Sequence, residues 1–484
     1  MRFNFWLITN ILGLLLVING VFMLLCLPFS IYYREDIWHL ATAGAISIVA
    51  GGLTWLGTRN EQNKELKKKD GYLIVTLGWL CMSCFGSLPY ILSGTIPDFT
   101  NAFFETISGY TTTGASVLTD IESAPKGILF WRSLTQWIGG MGIIVLAVAI
   151  LPILGIGGMQ LFVAEAPGIS PDKMKPRIKE VAKRLWFIYL GLTLIETVLL
   201  MFGGMTFYDA INHALTTMAT GGFSTKNASV AYYDSAYIQY VIIIFMFLAG
   251  TNFTITYFGL KGKFKKVWAN EEFRNYLIIV LLLSISISFF VFSSTWEGFE
   301  KSFRDSLFQV VSIITTTGFV TADYTKWAPF LTIVFFLLMF LGASTGSTAG
   351  GIKVVRHTLL FKNSFLEMRR QLHPSAVIPV RLNGAAVSRS ITYNVLAFVM
   401  IYMLVYAIGV FLLSFTGVEF DTALGAVATS LGNIGPGLGE VGPVDNFNSI
   451  TPFGKWILSF LMLLGRLELF TVLMLFNMNF WQKY

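Results

Sequence analysis

The segment Thr111-Thr112-Thr113-Gly114-Ala115-Ser116 is the first of four related stretches that decide the fold of this chain. Each stretch places a glycine after small or polar residues, and the copies recur about every 100 residues, a period typical of an internally repeated structure. The other copies are Met218-Ala219-Thr220-Gly221-Gly222-Phe223-Ser224-Thr225, Thr315-Thr316-Thr317-Gly318-Phe319-Val320-Thr321 and Gly432-Asn433-Ile434-Gly435-Pro436-Gly437. We align Gly114, Gly221, Gly318 and Gly435 as the equivalent glycines.

A short apolar helix is predicted before each glycine. Residue types that favour a helix N-cap stand about 12 to 14 residues upstream: Asn101, Asp209, Asp305 and Asp421. A helix of roughly ten residues crosses only about half of a bilayer, so we expect a re-entrant half-helix. Small residues recur in the apolar run that follows each turn: Gly139-Gly140, Gly250-Thr251, Gly342-Ala343 and Gly465. The predicted unit is a span, a half-helix, a turn and a second span.

The rest of the chain is too apolar for a water-soluble domain. Hydrophobic residues make up 55% of the 484 positions and charged residues only 13%, against about 25% charged in soluble domains. Apolar runs of about 20 residues are long enough to cross a bilayer as helices. We predict ten spans: 7–27, 38–57, 72–92, 131–153, 185–204, 237–259, 275–294, 327–349, 393–415 and 456–478. The first run could also be a signal peptide, but its length and the lack of a small-residue cleavage site before Pro28 favour a retained span.

Basic loops predict the orientation of these spans, because short loops rich in Lys and Arg stay on the cytoplasmic side. Four such loops alternate with the predicted spans: Lys64–Lys69, Lys173–Arg184, Lys261–Lys266 and Lys353–Arg389. With ten spans, this pattern places both termini in the cytoplasm. The net charge of +7 is therefore explained by topology and does not indicate a nucleic-acid partner.

The four turns are predicted to line one pore. Irregular backbone at membrane depth is tolerated only where it is buried in protein or lines a water-filled cavity. Backbone carbonyls can replace the hydration shell of a monovalent cation, and glycine permits the backbone angles that aim them inward. The turns carry no charged side chain, which points to potassium or sodium rather than calcium or an anion. The predicted filter residues are Thr112, Thr113, Gly114, Ala219, Thr220, Gly221, Thr316, Thr317, Gly318, Asn433, Ile434 and Gly435.

These motifs resemble the bacterial Trk and Ktr potassium transporters, within the superfamily of K⁺ transporters, over nearly the whole chain. The additional helical pair at 7–57 is similar to the TrkH and TrkG branch. The resemblance implies an all-α polytopic fold with four pseudo-symmetric helix–pore-loop–helix repeats around a central pore, plus an N-terminal pair of transmembrane helices. The implied boundaries are 1–70 for the pair and 71–170, 171–270, 271–390 and 391–484 for the repeats.

Glycine in all four turns implies, by the same resemblance, potassium as the transported ion and uptake across the bacterial cytoplasmic membrane. The fourth turn departs from the family's threonine pattern at Asn433 and Ile434. The resemblance further implies a homodimer and a cytosolic nucleotide-binding partner of TrkA or KtrA type. This chain itself contains no Walker sequence and no strand–GxGxxG–helix unit, so we expect no organic cofactor in it.

Two candidate gates lie downstream of the turns. The first is the small-residue loop Gly342-Ala343-Ser344-Thr345-Gly346-Ser347-Thr348-Ala349-Gly350-Gly351. Each glycine costs a helix about 1 kcal/mol relative to alanine, so a break is expected. Close helix packing through small residues is the structural alternative, and the spacing leaves both open. The resemblance favours an intramembrane loop that obstructs the pore.

The second candidate gate is Arg466, a basic residue deep in the last predicted span. An intramembrane charge is a functional hypothesis by default, and the resemblance places this arginine in the conduction path below the filter. The structural alternative is an ion pair with Glu196. Glu468, two residues further on, is expected to face elsewhere on the helix.

Other functions have weaker support in the sequence. Cys81 and Cys84 have CxxC spacing but no second pair that would complete a metal site. An intramembrane enzyme is disfavoured because the histidines lack metal-ligand spacing, and an inverted-repeat secondary transporter would not place four half-helices on one side. Coupling to sodium or protons, as in a symporter, remains an alternative. The basic loop Lys353–Arg389 could also contact anionic membrane lipids.

Overall fold

A computed structural model describes residues 3–58, 68–145, 175–296, 298–376 and 378–482, and most of this part is helical. One short hairpin pairs β1 (Arg381–Leu382) with β2 (Ala385–Ala386). The helices of the described part are α1 Phe5–Leu24, α2 Leu27–Tyr32, α3 Trp38–Thr58, α4 Lys68–Gly86, α5 Leu88–Leu92, α6 Phe99–Tyr110, α7 Lys126–Val145, α8 Lys175–Phe202, α9 Phe207–Met218, α10 Ala236–Ala249, α11 Phe253–Leu260, α12 Phe264–Ala269, α13 Glu271–Thr295, α14 Phe299–Ile314, α15 Pro329–Leu338, α16 Val354–Leu372, α17 Arg389–Ser414, α18 Phe420–Gly432, α19 Pro452–Arg466, α20 Phe470–Leu473 and α21 Met478–Trp481.

The apolar runs form helices, but not all of them are continuous spans. Six helical segments of the described part are long and apolar enough to cross a membrane, and they match the first, second, third, fifth, seventh and ninth predicted runs. The prediction of continuous spans at 237–259 and 456–478 is wrong, because each run is bent, by 114° and 110° respectively. In the first of these, the Asn252 side chain accepts a hydrogen bond from the Thr254 amide and caps a new helix after the break.

The fourth and eighth predicted runs also differ from plain spans. In the run at 327–349, helix α15 covers only ten residues and the backbone then leaves the helix before the small-residue loop. The run at 131–153 is helical to Val145, and its remainder lies outside the described residues. Part of two basic loops, including Lys64 and Lys173, lies outside them as well.

The N-terminal pair packs tightly against itself and against the first repeat. Gly20 of α1 and Gly44 of α3 face each other so closely that a Cβ at Gly20 would lie 2.6 Å from the Gly44 carbonyl oxygen. Small residues of this kind let membrane helices approach. Glu35, between α2 and α3, accepts hydrogen bonds from the first amides of α7, at Lys126 (2.6 Å) and Gly127 (3.1 Å). A carboxylate suits this helix N-terminus, whose amides have no partner within the helix.

Four half-helices form the centre of the fold: α6, α9, α14 and α18. Most of their residues beyond the first turn are buried, which places them inside the ring of spans. They have 12, 12, 16 and 13 residues, so they are slightly longer than predicted.

The predicted N-caps of the half-helices are wrong, because each helix begins two to seven residues earlier. The residues at the cap positions are Asp98, Thr206, Gly298 and Glu419. Asn101 and Asp209 occupy the third helical position instead. The Asp209 amide donates to Thr206 Oγ1, and the Thr206 hydroxyl lies 3.0 Å from the Asp209 carboxylate. Thr206 is therefore the cap, and Asp209 contributes a donor amide and a side-chain contact to the cap hydroxyl.

Candidate functional site

The four turns share an unusual backbone conformation. One residue in each turn has a left-handed φ between 52° and 56°: Thr112, Thr220, Thr316 and Asn433. Three of them are threonines, and a β-branched residue in this region is a genuine outlier. Two residues later stands a glycine with φ between 76° and 102°: Gly114, Gly222, Gly318 and Gly435. Strain of this kind persists only where the surrounding structure enforces it, and it clusters at functional sites.

This pattern corrects the alignment of the second turn. The residue between the two left-handed positions donates its amide to the carbonyl five residues earlier at 2.8 to 2.9 Å in all four turns: Thr113, Gly221, Thr317 and Ile434. Gly221 is therefore equivalent to Thr113, and Gly222 is equivalent to Gly114. The expected match of Ala219, Thr220 and Gly221 to Thr112, Thr113 and Gly114 is wrong by one residue. Consecutive glycines left the sequence ambiguous, and only the backbone angles distinguish them.

The turns meet in a closed ring, which we call the turn ring (residues 112–114, 220–222, 316–318 and 433–435). A Cβ at each left-handed glycine would fall within 3.0 Å of a carbonyl oxygen in the next turn. Gly114 approaches the Gly221 carbonyl, Gly222 the Thr317 carbonyl, Gly318 the Ile434 carbonyl and Gly435 the Thr113 carbonyl. The contacts thus run from the first repeat to the fourth and back to the first. Only glycine fits such close backbone approaches.

Side chains from neighbouring elements brace the turn ring. Gln136 of α7 donates to the Gly221 carbonyl (2.6 Å) and accepts from the Phe223 amide (3.1 Å). Asn433 donates to Thr113 Oγ1 (3.0 Å) and to the Met462 carbonyl (2.9 Å). Sequence reasoning missed Gln136. Its signal was a polar residue inside an apolar run, one helical turn from the charged Arg132.

The small-residue loop (342–351) lies against the inner ends of the half-helices. Thr348 Oγ1 donates to the Met218 carbonyl at the end of α9 (3.0 Å), and the Gly350 amide donates to Thr316 Oγ1 (2.7 Å). A Cβ at Gly350 would lie 2.5 Å from the Gly432 carbonyl at the end of α18. The loop therefore contacts the second, third and fourth repeats at once. Its ends are closed by the pairing of Gly342 with Lys353.

Arg466 lies beside this loop and is 2% exposed. Its guanidinium donates to the Thr348 carbonyl (2.7 Å) and to the Gly139 carbonyl of α7 (3.3 Å). Within the described residues no carboxylate forms an ion pair with Arg466, so pairing with Glu196 does not explain its position. A buried cation thus joins the small-residue loop to the first repeat.

Glu468 pairs with Arg356. The expected helical position of Glu468 is wrong, because α19 ends at Arg466 and Glu468 lies beyond it with a left-handed φ of 59°. Arg356 is near the start of α16, directly after the small-residue loop, and its guanidinium lies 3.8 Å from the centre of the Phe398 ring. The ion pair therefore ties the C-terminal end of the loop to the bend between α19 and α20. Sequence reasoning did not anticipate this contact between residues 112 positions apart.

The outer loops of the first two repeats are also joined. Asn227 accepts a hydrogen bond from the Ile121 amide (2.7 Å) and donates to the Asp120 carboxyl (3.2 Å). This hydrogen bond from Asn227 lowers the pKa of Asp120. The loops that follow the first and second turns are thus connected to each other.

Comparisons with known proteins agree on one family. The TrkH family model, described as a cation transport protein, matches residues 38–483. The Trk system potassium uptake protein TrkH of Escherichia coli (strain K12) is 42% identical, with 99% of this chain and 100% of that protein covered. TrkG of the same strain is 34% identical, with 98% of each chain covered. The crystal structure of the potassium transporter TrkH from Vibrio parahaemolyticus superposes with a TM-score of 0.90 at 39% identity, over 99% of this chain and 100% of that one.

Proposed function

Because this chain belongs to the TrkH family of cation transport proteins, we propose that it carries potassium ions into the bacterial cell through the turn ring. The observation that carries the proposal is the closed circle of backbone approaches among four strained turns with no charged side chain in them. Carbonyl oxygens in such a circle can replace the water molecules of a dehydrated monovalent cation. Potassium is the transported ion, and no organic cofactor takes part.

The proposed ion-binding residues follow the corrected alignment. They are Thr112, Thr113, Gly114, Thr220, Gly221, Gly222, Thr316, Thr317, Gly318, Asn433, Ile434 and Gly435. The C-terminal ends of the four half-helices lead directly into the turns. Their partial negative charge favours a cation at the turn ring. Ala219 is excluded, because it is equivalent to Thr111 in the first turn.

Gating is assigned to the small-residue loop and Arg466. The loop obstructs the path under the turn ring, and the buried guanidinium adds a positive charge that repels a cation in the same path. Opening requires that the bond from Arg466 to the Thr348 carbonyl (2.7 Å) break and that the loop leave the half-helix ends. The break between α10 and α11 is bonded to the loop, since the Ser344 amide donates to the Gly250 carbonyl (3.0 Å) and the Phe253 amide to the Gly346 carbonyl (3.2 Å), so movement of the loop also involves this break.

Assembly and regulation are further parts of the proposal. The protein acts as a homodimer in the cytoplasmic membrane, with both termini in the cytoplasm and repeats bounded at 71, 171, 271 and 391. A cytosolic nucleotide-binding partner of TrkA or KtrA type regulates the gate. Support comes from the position of α16, an amphipathic helix that begins directly after the small-residue loop, so a partner bound to α16 would act directly on the loop.

The test is flux into liposomes that contain only this protein. Potassium, sodium, rubidium and caesium flux are measured for the wild type and for Gly114→Ser, whose side chain would displace the Gly221 carbonyl. We expect the variant to lose its preference for potassium over sodium. Gly94→Ser is the matched control, because Gly94 has a similar φ of 70° but open space around it. An unchanged potassium preference in Gly114→Ser would refute the assignment of the turn ring to the filter.

A further inference from the structure

We propose that Glu105 and Arg132 are positioning residues that set the discrimination between potassium and sodium by fixing the first and second turns against each other. The inference rests on the proposed function of the turn ring. Both side chains are charged and lie outside the turn ring, so neither is among the proposed ion-binding residues.

The two side chains form a buried ion pair. Glu105 lies in the middle of half-helix α6 and Arg132 on α7, with Arg132 Nε 2.7 Å from Glu105 Oε1. Their side chains are 0% and 3% exposed. The carboxylate also accepts from Ser116 Oγ (3.0 Å) and from the Val117 amide (2.8 Å). Glu105 therefore fixes the extended segment that leaves the first turn.

Arg132 extends the same connection to the second turn. Its Nη1 donates to the Ser224 carbonyl (3.1 Å), and its guanidinium lies 3.5 Å from the centre of the Phe223 ring. Phe223 and Ser224 directly follow Gly222 in the chain. One charge pair thus contacts the segments that leave two adjacent turns, and hydrogen bonds with a charged partner are roughly twice as strong as neutral ones.

The equivalent half-helix position has the same task in two other repeats, but without a charge pair. Seven residues before each left-handed Thr or Asn stand Glu105, His213, Gln309 and Ala426. His213 Nε2 lies 2.9 Å from Ser224 Oγ, and Gln309 Nε2 lies 3.4 Å from Thr321 Oγ1. Alanine in the fourth repeat has no polar atom to offer. The side-chain contacts that support the turns therefore differ between repeats, and they are strongest between the first and second turns.

The partner of Glu105 is also specific to the first repeat. Seven residues before the small-residue site of each second span stand Arg132, Ile243, Phe335 and Leu458. The three apolar residues are buried, as Arg132 is. A buried ion pair generally adds no stability over well-packed apolar residues. Its presence in one repeat alone points to a role in fixing geometry rather than in stability. Sodium is smaller than potassium, so the carbonyls of the turn ring must move inward to coordinate it, and a fixed geometry opposes that movement.

The test compares potassium and sodium flux in liposomes for three variants of the full chain. Glu105→Gln keeps the shape and removes the charge, Arg132→Lys keeps a charge but cannot make the same paired contacts, and the double variant Glu105→Gln/Arg132→Met leaves no unpaired charge. We expect the ratio of potassium to sodium flux to fall by about tenfold in the double variant, the scale of one lost hydrogen bond to a charged group. Arg132→Lys should fall between it and the wild type. Glu300→Gln, which breaks an exposed ion pair with Arg304 on half-helix α14, is the matched control and should keep the wild-type ratio.

The outcomes separate this inference from the proposed function. If Gly114→Ser lowers the flux ratio and the folded double variant does not, the pair has no role in selectivity and only this inference falls. If neither lowers it, the filter assignment fails and the inference falls with it. If Arg132→Lys and the double variant both fail to fold, the pair serves folding alone and the inference is again overturned.

Discussion

Substitution of Gly222 by alanine should damage ion selection more than substitution of its neighbour Gly221. Gly222 has a φ of 76°, whereas Gly221 is not among the residues with positive φ. A Cβ at Gly222 would fall within 3.0 Å of the Thr317 carbonyl oxygen, which belongs to the backbone of the third turn. A Cβ at Gly221 would instead meet the side-chain amide of Gln136, which can rotate away.

The two substitutions disturb different parts of the structure, and Gly222→Ala should cost more stability than Gly221→Ala. Alanine in the left-handed region costs about 1–2 kcal/mol before any clash is counted. Rotation of Gln136 in Gly221→Ala loses two hydrogen bonds, worth about 1 kcal/mol each. Gly221→Ala should therefore lose roughly 2 kcal/mol of stability, and Gly222→Ala should lose more than its backbone cost alone, because the clash with the Thr317 carbonyl adds to it. Only Gly222→Ala must also displace a carbonyl oxygen of the turn ring.

The assay is the ratio of potassium to sodium flux in liposomes, with thermal unfolding in detergent measured alongside. We expect a large fall in the ratio for Gly222→Ala and a small one for Gly221→Ala, with the larger drop in unfolding temperature also in Gly222→Ala. Gly262→Ala controls for backbone strain, because Gly262 has a φ of 68° and nothing within 4 Å of an added Cβ. A larger loss of selectivity in Gly221→Ala than in Gly222→Ala would refute the corrected alignment.

Three more substitutions test the contacts around the pore. Arg466→Ala should raise potassium flux roughly ten- to a hundredfold, since a hydrogen bond to a charged group is worth about 1.5–3 kcal/mol; abolished transport with normal membrane insertion would contradict this gating role. Glu468→Gln should lower stability in thermal unfolding by about 1–3 kcal/mol by leaving Arg356 unsatisfied, and a double-mutant cycle that shows no coupling between the two residues would refute it. Asn433→Ala should lose about 2 kcal/mol through its two hydrogen bonds, one of them to Thr113; unchanged unfolding would mean that these bonds do not hold the fourth turn.

Local chemistry in the sequence predicted the parts of this fold that depend on short segments. Apolar runs of sufficient length gave the long spans, because an apolar helix is the simplest way to satisfy backbone groups in lipid. The break in the eighth run was also predictable, since four glycines in the ten residues from Gly342 make a poor helix. The helix starts were harder to predict. Asp98 and Asn101 are both residue types that favour an N-cap, and only the structure shows that Asp98 is the cap and that the Asn101 amide donates to its carboxylate.

By itself, then, the sequence determined the membrane class, the four repeats and the positions of the turns between them, because these follow from composition and periodicity. The tertiary structure alone decided which of two adjacent glycines, Gly221 or Gly222, takes the left-handed conformation, because that choice depends on the approach of the Thr317 carbonyl. It also decided that Arg466 bonds to backbone carbonyls and that Glu468 pairs with Arg356. A buried charge takes whichever partners packing brings within reach, and those partners lie more than 100 residues away along the chain.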